Sequence, residues 1–221
     1  MSVESVEPFI EHRWEPRLFW LRRPRPVGTR FLIVRKDRWL PDPSAARGRI
    51  PILLDIRRSF GSGGHGTTEG CLLALEKSVR GGERVLDLGT GSGILAIAAR
   101  KLGATHVTAV DISGSACREA RGNLLLNGIR EKVVVLQGGI ESIAGRFDIV
   151  LANLRTPILI NLMEKIMKCT KEYGILIVSG VEEREIHSFR TFQARYSVSP
   201  AETIHVGGWV TLMTRGGSLE G

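Results

Sequence analysis

The 221-residue chain has only three cysteines and no long uncharged run, and each shortage removes a class of protein. Nothing in it approaches the roughly 18 apolar residues that a membrane-spanning helix needs. The opening residues, Met1-Ser-Val-Glu-Ser-Val-Glu-Pro8, are acidic and lack the apolar stretch of a secretion signal, so no signal peptide is expected. Cys71, Cys117 and Cys169 are odd in number, far apart and without C-x-x-C spacing. That pattern suits reduced thiols in a cytoplasmic protein and gives neither a disulfide framework nor a zinc site. The five histidines, His12, His65, His106, His187 and His205, have no ligand spacing either, so no metal is expected. What remains is a composition of 43% hydrophobic and 24% charged residues, which excludes disorder and allows one full domain with at most an appendage.

The formal charge of +8 is the unusual quantity, and it is unevenly placed. Residues 1–60 hold 13 Lys and Arg against 7 Asp and Glu, a net of +6, whereas residues 61–221 hold 18 against 16. The same first stretch contains Trp14, Trp20 and Trp39 and seven of the nine prolines. This composition boundary divides a basic lead-in, residues 1–59, from a domain over 60–221. A basic, aromatic segment could dock on RNA or a ribosomal particle, since phosphate attraction ignores sequence and stacking accepts any base. The other reading is a solvated, irregular lead-in whose tryptophans pack against the domain behind it.

Beyond residue 83 short continuous apolar runs alternate with amphipathic stretches, the pattern of an α/β sheet buried on both faces. Strands are predicted over Arg84–Leu88, His106–Asp111, Lys132–Gln137, Phe147–Ala152 and Gly174–Ser179. Helices are predicted over Thr67–Val79, Ser92–Leu102, Ser113–Asn127, Pro157–Lys171 and Glu182–Phe192. Ser92 and Ser113 read as N-caps, Gly103 and Gly128 as helix ends, and Pro157 as a first helical residue. Thr203–Val206 and Trp209–Thr214 read as a closing antiparallel hairpin around Gly207-Gly208.

The strongest local signal is Val85-Leu-Asp-Leu-Gly89-Thr-Gly91-Ser-Gly93-Ile-Leu-Ala, a strand entering a helix through a turn of alternating glycines. A ligand can approach such a backbone closely because side chains are absent. The third glycine comes one residue too early for the dinucleotide fingerprint, and no lysine follows to make a phosphate loop. Asp111 ends the next strand 22 residues after Gly89, where a carboxylate can accept both hydroxyl protons of a ribose. Loop and acid together indicate a nucleoside-containing cofactor.

These segments resemble the class I S-adenosylmethionine-dependent methyltransferases, whose fold is Rossmann-like with a mostly parallel seven-stranded sheet, helices on both faces and a C-terminal hairpin. Phe60-Gly-Ser-Gly-Gly-His65-Gly-Thr67-Thr68, the glycine turn, and Val150-Leu-Ala-Asn153-Leu154, in this order, are similar to the ribosomal protein L11 methyltransferase family. The resemblance covers about residues 26–215. It implies S-adenosylmethionine as cofactor and a protein amine, in a ribosomal protein, as methyl acceptor. Carried over position by position, it implies cofactor contacts from Phe60, Thr67, Thr68, Asp87, Gly89, Gly91, Asp111, Ile112 and Asn153. Phe60 and Thr67 would line the methionine end. Asn153 would be the residue closest to catalysis, its side-chain oxygen accepting a hydrogen bond from the neutral acceptor amine.

Three features depart from the family. Its members carry a separate N-terminal domain that presents the substrate, and the residues ahead of Pro26 are too few to build one. The segment after the fourth strand reads Asn153-Leu-Arg-Thr-Pro157, where the family usually places a small residue such as alanine at the fourth position, and Arg155 in it can meet an acidic or phosphate group or simply face solvent. Gly66 replaces a proline, which gives the loop more backbone freedom. An RNA or small-molecule amine methyltransferase, and a non-catalytic cofactor-binding module, are the other readings. Against base methylation, no cysteine stands directly after the fourth strand for pyrimidine C5 chemistry and no Asn-Pro-Pro-aromatic run is there to stack a flipped base, and Asn153 speaks against the non-catalytic module.

Overall fold

The computed structural model describes residues 24–36, 46–56, 60–196 and 200–215. Trp14, Trp20 and Trp39, with their predicted packing, lie outside the described residues. In chain order the elements are β1 (Arg25–Val27), β2 (Phe31–Arg35), β3 (Ile50–Leu54), α1 (Gly66–Ser78), β4 (Arg84–Leu88), α2 (Ile94–Leu102), β5 (His106–Asp111) and α3 (Gly114–Leu126). They continue with β6 (Val133–Gln137), β7 (Phe147–Asn153), α4 (Thr156–Cys169), β8 (Thr170–Glu182), α5 (Ile186–Gln193), β9 (Pro200–Val206) and β10 (Trp209–Arg215). No helix among the described residues is long and apolar enough to cross a membrane.

Seven strands form one sheet in the order β6-β5-β4-β7-β8-β10-β9. The first five run parallel, and β10 lies antiparallel to both β8 and β9. Alternate residues of each central strand feed opposite faces, as the two-residue pleat requires. On one face Val85, Ile149 and Leu151 pack with Leu72, Leu75, Ile97 and Cys117 from α1, α2 and α3. On the other Leu86, Val150 and Ala152 pack with Leu159, Met163, Ile166 and Phe189 from α4 and α5. Leu86, Ile97, Leu151 and Leu159 are fully buried, each contributing about 1.5–3 kcal/mol of transfer free energy.

The predicted elements differ from the observed ones at their ends, for local reasons. Ser113 does cap α3, accepting from the Ala116 N–H at 3.4 Å. Ser92 does not cap α2; left-handed Gly93 takes the N-cap place, while Ser92 donates its hydroxyl to the Gly61 carbonyl at 2.7 Å. The predicted helix Glu182–Phe192 starts late, because β8 runs through Glu182 and a 3-10 turn, Glu183–Glu185, precedes α5. Likewise α4 stops at Cys169, two residues short of its predicted end, and β8 begins at once.

Residues 25–54 add a small sheet, β1-β2-β3, that was not among the predicted strands. Pro26 and Pro51 sit inside β1 and β3, and β1 has three residues, so the local signal is poor. Its Val27, Phe31, Ile33, Ile52 and Leu54 join the same core as α1, α2 and α3. Polar ties hold it in place. Glu76 on α1 accepts the backbone N–H groups of Thr29 and Arg30, and Lys101 on α2 donates to the Pro51 carbonyl at 2.6 Å. Asn127, the C-cap of α3, bonds both the N–H and the carbonyl of Leu53, and Asn123 on α3 accepts the Asp55 N–H at 2.7 Å. Asn123 also donates to the Ser92 carbonyl at 2.9 Å, which ties the small sheet to the glycine turn.

Candidate active site

The chain order reverses direction in the sheet between β4 and β7, and open α/β folds bind ligands outside the carboxyl ends of strands at such a point. A cavity of about 660 Å³ lies there, within the roughly 300–1,000 Å³ of small-molecule sites. Leu88, Asp111, Gly138, Asn153 and Gly180, from the ends of five neighbouring strands, all line it. The two sides of the switch meet closely: a side chain at Gly89 would come within 2.5 Å of Leu154 Cδ2. Gly89 has φ +78, a second reason for glycine there.

The glycine turn is fastened from outside. Phe60 accepts the Ser92 N–H through its carbonyl at 2.9 Å, and a Cβ on Gly91 would sit 2.5 Å from that same carbonyl oxygen. The Gly89 and Thr90 N–H groups share the Val110 carbonyl at 2.8 and 2.9 Å. Asp111 accepts the Gly91 N–H on one oxygen at 3.0 Å and the Ser113 N–H on the other at 2.9 Å. The carboxylate is thereby aimed at the cavity with two of its roughly four lone-pair directions still open.

Asp87 was expected to touch the cofactor, but its carboxylate is 1% exposed and does not line the cavity. It accepts the Thr90 hydroxyl at 2.6 Å, so it braces the turn from beneath. Burial pushes its carboxyl up to about 6, with the Thr90 hydrogen bond opposing the shift. A carboxyl raised in the folded state binds its proton more tightly there than in the unfolded chain. Its contribution to stability is therefore full below about pH 4 and is lost as pH rises through about 6. Relative to Asp87→Asn, the wild type is expected to lose about 3 kcal/mol of stability across that window. Denaturant titrations of both proteins from pH 4 to pH 7 check this; a constant difference would exclude it.

Above α1, His65 caps the helix. Its Nδ1 accepts the Thr67 N–H at 3.4 Å and lies 2.9 Å from the Thr67 hydroxyl, and burial lowers the basicity of the ring. The His65 ring lies 5.1 Å from Phe60, edge-on, and 4.8 Å from Trp209. Gly66 lets the closing hairpin approach, because a Cβ there would lie 2.3 Å from the Val206 carbonyl oxygen and 3.1 Å from Trp209 Cδ1. Its observed part is thus close packing of β9 and β10 on α1 rather than backbone freedom. Thr68 is fully buried and is not part of the cavity lining, with no partner for its hydroxyl among the described residues.

Phe60, Thr67, Gly89, Gly91, Asp111, Ile112 and Asn153 thus come together on one cavity, and Asp87 and Thr68 do not. Trp209 and the Gly138-Gly139 turn also line it and were missed as site residues. A glycine pair directly after a strand was a usable signal for the turn; Trp209 arrives from 50 or more residues downstream and had none. Among the described residues no cluster of His, Cys, Asp or Glu could hold a metal ion.

Comparison with known proteins agrees with this geometry. The family model described as ribosomal protein L11 methyltransferase (PrmA) matches residues 3–216. The ribosomal protein L11 methyltransferase of Pelotomaculum thermopropionicum is 39% identical over 215 residues, covering 97% of this chain and 69% of that protein. That of Halalkalibacterium halodurans is 32% identical over 98% of this chain and 68% of its own length. The crystal structure of the ribosomal protein L11 methylase of Lactobacillus delbrueckii subsp. bulgaricus superposes with a TM-score of 0.79 at 31% identity, covering 86% of this chain and 96% of that one. Motifs, sheet order and relatives concur: this chain belongs to the ribosomal protein L11 methyltransferase family of S-adenosylmethionine-dependent methyltransferases.

Proposed function

We propose that the cavity binds S-adenosylmethionine and that the chain methylates amino groups of ribosomal protein L11. The single observation that carries the binding reading is Asp111, held by two backbone N–H groups with its free lone pairs toward the cavity. The residues fit the cofactor's parts. Gly89 and Gly91 let Leu154 and the Phe60 carbonyl close around the turn, where a Cβ would collide, and exposed Ile112 can cover an adenine face. Thr67, Phe60 and the glycine turn lie where the methionine end would be held. Asp87 acts at one remove, by bracing the turn through Thr90.

When bound, the cofactor supplies an electrophilic methyl group on a positively charged sulfur. The chain's task is alignment in a dry cleft, and well-oriented reactants gain on the order of 7–11 kcal/mol from positioning alone. The acceptor must first give its proton to solvent, since an ammonium has no lone pair to attack with. Asn153 extends β7 by its last residue, and Leu154 is pinned to Ser179 through its N–H at 3.1 Å. Its side-chain oxygen would accept an N–H of the neutral amine and so direct the lone pair toward the methyl carbon. Being uncharged, an amide stabilises the ammonium less than a carboxylate would, and so holds back deprotonation less. The Phe60, His65 and Trp209 rings would exclude water from the acceptor.

The division at Phe60 is kept as a functional one, with 60–221 carrying the chemistry and the earlier segment offering its +6 to a phosphate-rich surface beside the acceptor. Cytoplasmic action fits three buried free thiols. The test is transfer from methyl-labelled S-adenosylmethionine into purified bacterial L11, with ribosomal RNA and cell metabolites assayed in parallel. Label on L11 amino groups is expected. Label confined to RNA or to small molecules would overturn the acceptor assignment.

A further inference from the structure

Among the described residues the cavity wall carries one carboxylate, Asp111, and one Lys or Arg side chain, Arg155. Asp111 is committed to the glycine turn and, on the reading above, to the ribose. Arg155 is exposed, stands two residues beyond Asn153 and lines the same cavity.

The base of that side chain is rigid. Arg155 is the N-cap residue of α4, and its carbonyl accepts the Ile158 and Leu159 N–H groups at 2.9 and 3.1 Å. The next residue, Thr156, donates its hydroxyl to Glu185 at 2.8 Å and also lies 3.3 Å from the Gly180 carbonyl oxygen. Glu185, the acid touching this end of α4, is thereby occupied, and it accepts the Glu182 N–H as well. The guanidinium itself has no ion pair with a described residue. A protein amine approaching this mouth arrives as an ammonium and meets two fixed positive charges, the sulfonium of the bound cofactor and Arg155. An acceptor bringing its own carboxylate beside the amine offsets the second charge and can engage the planar guanidinium in a bidentate pair.

We propose that Arg155 is a specificity-determining residue, selecting acceptor amines that have a carboxylate close beside them. This rests on the protein-amine reading above, and the test separates the two. Two peptides, each with one lysine, are offered with labelled cofactor; the lysine is flanked by glutamates in one and by glutamines in the other. L11 is assayed alongside. The wild type is expected to favour the glutamate peptide about 2- to 5-fold in kcat/KM, as an exposed ion pair allows. In Arg155→Gln the ratio should fall to about one, and in Arg155→Glu it should reverse, a change that loss of packing alone would not give. Affinity for S-adenosylmethionine, measured calorimetrically, should be unaltered in Arg155→Gln. An unchanged peptide ratio in that variant overturns the proposal. So does a 10-fold loss of cofactor affinity, which would assign the guanidinium to the methionine carboxylate, and so does failure on both peptides beside active L11. Failure on L11 and both peptides alike would instead remove the protein-amine reading on which the proposal stands.

Discussion

Asn153→Ala is expected to lower kcat for methyl transfer by about 10²- to 10³-fold while changing cofactor affinity little, since misdirected reactants and lost proton handling each cost on that scale. The reason lies in what the residue can touch. Asn153 ends a strand whose register with β8 is fixed through the Asn153 and Ser179 pairing, so its position survives truncation of its own side chain. Alanine removes the acceptor oxygen and leaves the backbone that shapes the cavity. Asn153→Asp discriminates further. A carboxylate also accepts a hydrogen bond, but it stabilises the ammonium over the amine, so this variant should be slow at neutral pH and recover as pH rises. Steady-state rates with L11 between pH 7 and 10 provide the measurement. Normal turnover in Asn153→Ala would remove the residue from the reaction.

Asp111→Ala is expected to weaken S-adenosylmethionine binding by roughly 10- to 150-fold, the range of about 1.5–3 kcal/mol for charge-assisted hydrogen bonds. Asp111→Asn should be no better, for a reason specific to this site. Both carboxylate oxygens already accept a backbone N–H, from Gly91 and from Ser113, so an amide must turn its NH2 against one of those donors. One N–H then faces another, and the turn that shapes the cavity is disturbed in addition to the ribose contact. Calorimetry on the folded variants decides, with thermal unfolding as the control for the turn. Wild-type affinity in either variant would exclude the ribose assignment.

The parts of this molecule legible in the sequence are those specified locally. The central parallel strands announce themselves because both of their faces are buried, so their apolar runs are nearly continuous, and edge strand β6 keeps the run although Val134 is exposed. Asp111 was found because a strand end and a glycine turn fix its position by spacing. The motif leaves Asp87 open between bracing the loop and touching the cofactor, because the same spacing serves a carboxylate beneath the turn and one beside the cavity; burial and the Thr90 bond favour bracing. Ser92 reads as a cap because serine before a helix usually is one, while here its hydroxyl is spent on Gly61 across 31 residues. Trp209 and the packing of Gly66 depend on a hairpin that folds back over α1 from the far end of the chain. The small sheet was hidden by prolines that its strands tolerate through contacts with α1, α2 and α3.

That small sheet ends on β3, and a terminal strand leaves a row of unpaired peptide groups able to recruit another chain. Here the row is closed by side chains. Asn127 supplies a donor and an acceptor to Leu53, and Asn123 supplies an acceptor to Asp55, so two amides one helical turn apart imitate the neighbouring strand that is missing. The pair therefore holds a layer in place and also occupies bonding groups through which another chain could pair. Loss of Asn127 would leave a sheet margin open to growth, and its first symptom would be in solubility.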